Sequence, residues 1–600
     1  MCGIHAVIEV VKTEDNDSHK SNKNNDIDTL SPVLRSRLVR RGPDHLGQVK
    51  TTSSPRQDGT SVHLSFTSTV LALRGDGLTQ QPFVETADGD AAQRVLCWNG
   101  EVWRVDGAAA SVDGNDGQLL FEKLTATDNA LDVLRAVEGP FAFAYYDGVG
   151  GRLYFGRDRL GRRSLLQQKT ADGCLTLSSV SDVSDVSSVG EESESFFSSP
   201  WTEVEADGIY VLDLHGESRD QPWTVSRHNW SDDFAGDSDD IVGGLGRFNM
   251  ASDPGDSGPL TADALSVQQL GDQLAASLWL RILHVPKPPP TLVDDSFSPQ
   301  DRDTRVAVLF SGGLDCTVLA RMAHDLLPAD QGIDLINVAF ENPRVKAHLA
   351  AGKDVYEACP DRLTGRASLA ELQKTCPSRA WRFLGVNVPY TDFVAHRPTV
   401  VALMHPHDTE MDLSIASALY FASRGQTDTE ETPARVLLSG LGADELFGGY
   451  GRHAVAYEVG ASKVASEASG EAGQLKDDSN AAKNRGYAAL ARELHLDVAR
   501  LGRRNLGRDD RVLAHWGREV RFPFLDEHLV RWAIALPVWA KCDFEYSEEG
   551  EIEPAKRVLR LLAQKLGLEG VAREKKRAIQ FGARTAKMES GRVKGTARVV

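Results

Sequence analysis

The chain has 600 residues, with 86 acidic side chains against 67 lysines and arginines and a formal net charge of −19. That length is too great for one hydrophobic core, so two or more domains are expected. The acidic excess argues against a general nucleic-acid or membrane-surface binder, and anionic substrates would need local positive pockets. The seven cysteines (2, 97, 174, 316, 359, 376 and 542) are dispersed without metal-type spacing, which points to a reducing compartment and no disulfide framework. No stretch has the length of a membrane span, and Met-Cys-Gly-Ile-His lacks the basic region and apolar core of a signal peptide. A cytoplasmic protein is expected.

Residues 1 to about 225 read mainly as strands, at 3–11, 61–73, 94–98, 141–146, 152–157, 174–180 and 208–214, with helical patterns near 29–40 and 116–136. Residues 12–26 are polar and read as an exposed insertion. The Ser/Val/Asp/Glu stretch 176–199 reads largely as loop. The Asp/Gly-rich run 231–258 cannot support a core, so the expected division is a domain over 1–225, a linker over 226–260 and a second domain over 261–600. A helix follows at about 261–284, with Leu265, Leu270, Leu274, Leu278, Leu280 and Leu283 along its apolar side. Apolar runs at 306–310, 334–340, 382–388 and 435–439 then alternate with helical patterns, notably 411–424. That alternation predicts a parallel sheet with helices on both faces. Residues 461–484 read as a second exposed insertion, and 485–600 mainly as helix.

Two stretches carry chemistry. Val306 to Phe310 suits a buried strand, and Ser311-Gly312-Gly313 follows it directly before a helical pattern. Backbone N–H groups at such a helix start, with glycines allowing close approach, suit a phosphate, and Asp315 could hold magnesium against it. The string Ser311-Gly312-Gly313-Leu314-Asp315 resembles the pyrophosphate loop of ATP pyrophosphatases, and it lacks the lysine of a Gly-x-x-x-x-Gly-Lys loop. At the other end, removal of the initiator Met would make Cys2 the first residue. Its amine, with a reference pKa near ~8, could then serve as base for its own thiol.

Arg41-Gly-Pro-Asp44, Trp98-Asn-Gly-Glu101, Gly114-Asn-Asp116 and Gly156-Arg-Asp-Arg-Leu-Gly161 follow Cys2 in order. With them, residues 1–215 resemble a class II, N-terminal-nucleophile glutamine amidotransferase, which implies a four-layer αββα fold. The resemblance implies that Cys2 attacks the glutamine amide while the Asn99 side chain and the Gly100 N–H stabilise the oxyanion. It further implies that Arg74 pairs with the glutamine α-carboxylate and that Glu101 and Asp116 hold its α-ammonium. The neighbours of Arg74, Gly75-Asp76-Gly77-Leu78, depart from the family pattern.

A glutaminase followed by a Ser-Gly-Gly-Leu-Asp loop is the order found in glutamine-hydrolysing asparagine synthetases. The runs 436–450, Arg518 to Asp526, Glu553 to Arg560 and Arg573-Glu574-Lys575 agree with it. This second resemblance implies an α/β ATP-pyrophosphatase fold and cofactors ATP and Mg2+. The substrates would be glutamine, ATP and aspartate or another carboxylate, and a homodimer is the expected assembly. It implies that Ser311, Gly312 and Gly313 cradle the phosphates and that Phe310, Val338, Ser439 and Gly440 contact the adenosine. Asp315 and Asp444 would hold the metal, and Lys575 would neutralise charge on the transferred phosphate.

One position departs from the authentic synthetases. Leu441 stands where they carry a Glu thought to accept a proton from ammonia. With Leu73-Arg74-Gly75 and Trp98 to Trp103, it makes the chain most similar to the eukaryotic asparagine synthetase domain-containing proteins. Three readings stand: an asparagine synthetase, an amidotransferase acting on another carboxylate, and a scaffold that keeps the fold without synthesis.

Overall fold

The computed structural model describes the chain apart from residues 1, 13–29, 54–55, 57, 76, 87–91, 111–113, 171–172, 184–199, 216–222, 232–241, 256, 288–302, 463–478, 547–551, 589–593 and 600. Residues 461–462 and 479–484, expected in the second exposed insertion, instead belong to helices Gly451–Ser462 and Ser479–Ala499. The insertion expected at 12–26 falls almost wholly outside the described residues, together with 463–478 of the second. So does 184–199 of the expected loop.

The first half is built on two six-stranded antiparallel sheets. In spatial order, one holds Thr202–Glu203, Leu166–Lys169, Leu175–Ser178, Gly3–Lys12, Thr60–Val70 and His45–Thr52. The other holds Thr224–His228, Ile209–Asp213, Arg152–Arg157, Phe141–Asp147, Ala92–Gly100 and Phe83–Thr86. Alternation of side chains puts Ile4, Ala6 and Ile8 of the first sheet against Ala142, Ala144 and Tyr146 of the second. The intervening Phe141, Phe143 and Tyr145 face the other way, onto Leu120, Phe121 and Leu124 of helix Asp116–Thr125 and Leu134 of helix Ala130–Ala136. Leu34 and Leu38 of helix Pro32–Arg41 pack with Leu30 and Val180 on the outer side of the first sheet. The layers therefore run helix, sheet, sheet, helix.

The second half is organised around a five-stranded parallel sheet, in the order Trp381–Val388, Ile333–Phe340, Val306–Leu309, Val436–Leu438, Glu519–Arg521. All eight residues of Ile333–Phe340 are buried, as a strand covered by helices on both faces requires. Val306–Leu309 and Val436–Leu438 are neighbours, so the loops leaving their carboxyl ends lie side by side. Helix Leu265–Ile282 buries Val267, Leu270, Leu274, Leu278 and Ile282. Leu265, expected on that stripe, heads the helix and is 65% exposed.

Two expectations about loops change. Leu175–Ser178 is a fully paired inner strand, as expected over 174–180, so the loop read from 176 begins only after it. Thr224–His228 pairs along Ile209–Asp213 and so crosses the expected boundary at 225. The segment read as a linker also buries Trp230, Val242, Leu245 and Phe248. Four apolar anchors suffice to dock it, because its polar residues can stay at the surface.

The two halves meet through buried ion pairs. Arg41 reaches Asp510 at 2.7 Å, Arg104 reaches Asp526 at 3.0 Å, Arg163 reaches Glu519 at 3.1 Å and Arg511 reaches Glu203 at 2.7 Å. Arg162 also pairs with Glu527. Removing one partner of such a pair strands a buried charge.

Candidate active sites

Cys2 lies at the head of the Gly3–Lys12 strand, and Asn99-Gly100 closes the Ala92–Gly100 strand in the facing sheet. The Cys2 N–H donates to Asn99 Oδ1 at 3.0 Å, and Arg41 Nε donates to the Cys2 carbonyl at 3.4 Å. Asn99 Nδ2 is buried with no hydrogen-bond acceptor among the described residues. A buried donor with no acceptor, beside a thiol, fits an oxyanion better than it fits a structural role. A Cβ at Gly100 would lie 2.5 Å from both the Phe141 Cβ and the Pro140 carbonyl oxygen, so this approach requires glycine. Burial pushes the Cys2 thiol up, opposed by the positive chain terminus and the Leu71 N–H.

Arg74, Glu101 and Asp116, expected to hold glutamine, are brought together beside this thiol's strand ends. Arg74 Nη1 lies 3.2 Å from Glu101 Oε2, and Asp116 Oδ2 accepts the Val102 N–H at 2.7 Å. The other Glu101 oxygen accepts from Arg521 Nη2 at 3.0 Å, across the junction between halves. Three guanidinium groups surround the Trp103 ring, from Arg74, Arg281 and Arg521, at 5.5, 5.4 and 4.9 Å from its centroid. A cavity of about 10 Å³, room for one water, remains between Arg74, Glu101, Trp103, Trp279 and Arg521. Burial pushes the Glu101 carboxyl up to about 7; Arg521 opposes the rise, and Glu519 and Asp116 add to it. Burial likewise raises Asp116, with Arg74 opposing.

The second site lies at the carboxyl ends of the central parallel strands. Gly312, at φ +80°, lets the Ser311-Gly312-Gly313 loop turn into helix Leu314–Leu326; a Cβ there would meet the Gly365 nitrogen at 2.4 Å. The Gly313 N–H donates to Ser311 Oγ at 3.3 Å. Asp315 lies in that helix's first turn, and Asp444 in the first turn of helix Ala443–Phe447. Both reach one cation: Lys556 Nζ lies 2.7 Å from Asp315 Oδ2 and 2.6 Å from Asp444 Oδ1. Lys576 pairs with the other Asp444 oxygen. Burial alone would raise the Asp444 carboxyl; Lys556 and Lys576 reverse that and hold it far below the carboxylate range.

Phe310 is buried edge-on to Phe383, and Val338 is buried two residues from the end of its strand. Ser439 donates its N–H to the Arg521 carbonyl at 3.0 Å, and Ser439 Oγ accepts the Leu441 N–H at 3.3 Å. Lys575 is exposed, and its neighbour Lys576 is the one that reaches Asp444. Leu441 is partly buried against the core. Two carboxylates converging on one ammonium fit magnesium completed by phosphate oxygens. Among the described residues no cluster of three or more His, Cys, Asp or Glu forms a fuller shell.

Sequence reasoning did not single out Gln81, whose Nε2 lies 3.8 Å from the Cys2 sulfur while its Oε1 accepts the Trp98 N–H at 3.0 Å. It also missed Asp510, Glu519 and Arg521 as members of the first site, and Lys556 in the second. Glu519 and Arg521 lie in the Arg518–Asp526 string and Lys556 in the Glu553–Arg560 string, which carried no assigned roles, and Lys576 stood only as a member of the basic cluster around Lys575.

A family model described as asparagine synthase matches residues 292–599. The chain belongs to the asparagine synthase family. Asparagine synthetase domain-containing protein 1 of Homo sapiens is 32% identical, over 93% of this chain and 93% of that protein. The Bos taurus protein of the same name is also 32% identical, over 94% of each. A putative glutamine-hydrolysing asparagine synthetase of Methanocaldococcus jannaschii is 35% identical over 21% of this chain and 18% of its own length. A glutamine phosphoribosylpyrophosphate amidotransferase from B. subtilis aligns with 64% of this chain and 91% of its own, at 12% identity and a TM-score of 0.28, too low to bear on the fold. Within the asparagine synthase family, then, this chain brings two sets of chemistry-bearing residues onto the ends of two kinds of sheet. All seven cysteines are free thiols. No described helix is long and apolar enough to cross a membrane.

Proposed function

We propose that the chain is a glutamine-dependent, ATP-consuming amide ligase of the asparagine synthetase type, with an N-terminal-nucleophile glutaminase in its first half. Once Met1 has been removed, the Cys2 thiol gives its proton to the freed Cys2 amine and attacks the glutamine amide. Asn99 Nδ2 and the Gly100 N–H steady the oxyanion, ammonia leaves, and water releases glutamate from the thioester. Arg74 pairs with the α-carboxylate, and Glu101 and Asp116 with the α-ammonium. In the second half, the acceptor carboxylate attacks the α-phosphorus of ATP and pyrophosphate departs. Ammonia then displaces AMP to give the amide; aspartate as acceptor yields asparagine. Asp315 and Asp444 would hold magnesium, which supplies charge neutralisation on the leaving pyrophosphate. Lys556 and Lys576 provide positive charge at the same place.

The observation that carries this reading is the arrival of Asp315 and Asp444, from neighbouring parallel strands, at a single buried ammonium. A second reading rests on Leu441, which cannot accept a proton: a chain that keeps nucleotide binding without efficient synthesis. The test combines glutamine hydrolysis with ATP–pyrophosphate exchange over a panel of amino-acid acceptors. Cys2→Ala should abolish hydrolysis and leave exchange and any ammonia-driven amide formation intact. Glutamine hydrolysis by the Ala variant above background would refute the nucleophile. Absence of exchange with every acceptor would favour the second reading.

A further inference from the structure

We infer that Arg521 is a positioning residue that couples the two sites, tuning the glutamine subsite according to the state of the nucleotide loop. This rests on the function proposed above and adds a route of regulation to it. Arg521 closes the Glu519–Arg521 strand at the edge of the parallel sheet. Its main-chain carbonyl accepts the Ser439 N–H at 3.0 Å. Ser439 leads into Gly440, which abuts Asp315 so closely that a Cβ there would lie 2.7 Å from the Asp315 Cβ. The backbone of Arg521 thus belongs to the nucleotide site.

Its side chain belongs to the other site. Nη2 donates to Glu101 Oε1 at 3.0 Å, Nε to Glu519 Oε1 at 2.6 Å and Nη1 to the Arg281 carbonyl at 2.5 Å. The guanidinium also lies over Trp103 and is 4% exposed. Its three donor atoms are all engaged, so the fork cannot rotate independently of its own backbone. A displacement of Ser439 when nucleotide enters is transmitted to the Arg521 carbonyl and hence to Glu101. Among the described residues Glu101 pairs with two cations, Arg521 and Arg74. Whatever Arg521 takes of that carboxylate is withheld from the glutamine α-ammonium and from Arg74.

Coupling of binding free energies is reciprocal, so each ligand must change the other's affinity by the same factor. The experiment uses the full chain carrying Cys2→Ala, which holds glutamine without turning it over. Calorimetry measures glutamine affinity with and without Mg-ATP, and Mg-ATP affinity with and without glutamine. The expected result is a shared factor of about fivefold or more. In the Cys2→Ala/Arg521→Gln chain that factor should fall to one, with glutamine bound about tenfold differently from the Cys2→Ala parent. Arg521→Lys, which keeps the charge but not the fork, should also lose the coupling; it stands in for Arg521→Gln if thermal melting shows that variant unfolded. Coupling that survives either folded substitution overturns the inference, as does a factor of one in the parent when both ligands bind. A parent that binds neither ligand sinks the functional proposal itself.

Discussion

Lys556 sits in the left-handed region, at φ +54°, where a side chain is tolerated only under strong local constraint. The constraint is visible: its ammonium bridges Asp315 and Asp444, and its side chain is 4% exposed. Lys556→Met would leave two carboxylates facing each other in a partly closed site. Breaking such a pair costs about 3–5 kcal/mol, and magnesium would restore part of it by replacing the lost charge. Thermal melting of Lys556→Met with and without magnesium checks this. A variant melting like the wild type in both conditions would show that the carboxylates do not depend on the lysine. At Leu441 the question is rate. A positioned base is worth ~10²–10⁴-fold in a proton-transfer step, so the wild-type chain should exchange ATP with pyrophosphate while forming asparagine slowly. Leu441→Glu should raise asparagine formation without much change in exchange. Fast synthesis by the wild type would mean that another group takes the proton.

The elements set the second site through their order in the sheet. Val306–Leu309 and Val436–Leu438 pair in register, so the loops after them emerge together, and only Gly440 lets them touch. In Gly440→Ala the new Cβ, 2.7 Å from the Asp315 Cβ and 3.4 Å from the Cys316 nitrogen, has backbone and a first-turn side chain in its way. The two βα loops must part, and Asp315 and Asp444 with them. Mg-ATP affinity should fall by about tenfold or more, the effect of misplacing charged ligands, while glutamine hydrolysis stays near the wild-type rate. Calorimetry and a glutamate-release assay on the same preparation separate the outcomes. Unchanged Mg-ATP affinity would place the nucleotide elsewhere.

Across the whole molecule, the junction between halves consists largely of arginine–carboxylate pairs, and its acid response follows. Burial alone would raise Glu519, Asp526 and Glu203 at this junction, but the guanidinium groups overcome it, whereas Glu101 stays raised. Arg521 and Arg163 hold Glu519 down to about 2, and Arg281 and Arg104 hold Asp526 down to about 2. Glu203, against Arg511 and Arg157, is also held well below its ordinary range. In the unfolded chain Asp and Glu titrate near ~4. The folded values are depressed, so this stabilisation is fully present above about pH 5 and is lost as pH falls through 4 toward 2. The urea midpoint should therefore drop steeply between pH 5 and 3. Buried pairs are poorly screened, so it should respond weakly to salt at neutral pH. A midpoint constant down to pH 3 would exclude the junction as the acid-labile part.

Most strands of the first half, the parallel sheet and the strand–glycine–helix turn at 311–315 were legible in the sequence, because each is written in local periodicity or in adjacent residues; the layering of the first half was implied only by its resemblance to class II glutamine amidotransferases. The seven strands read in residues 1–225 all exist, whereas five others in the two sheets, His45–Thr52, Phe83–Thr86, Leu166–Lys169, Thr202–Glu203 and Thr224–His228, were missed. Thr224–His228 is an edge strand with four of its five residues exposed, so it needs no apolar pattern to hold it. The 231–258 run carries too few apolar residues to announce a core, yet Val242, Leu245 and Phe248 find one supplied by the second half. Which lysine reaches Asp444 depended on how the chain turns after helix Glu569–Ala572, and that turn brings Lys576 onto the carboxylate. Arg521 lies 420 residues from Glu101; no spacing rule connects them. Only the docking of two sheets, which excludes water and forces every buried charge to find a partner, made them neighbours.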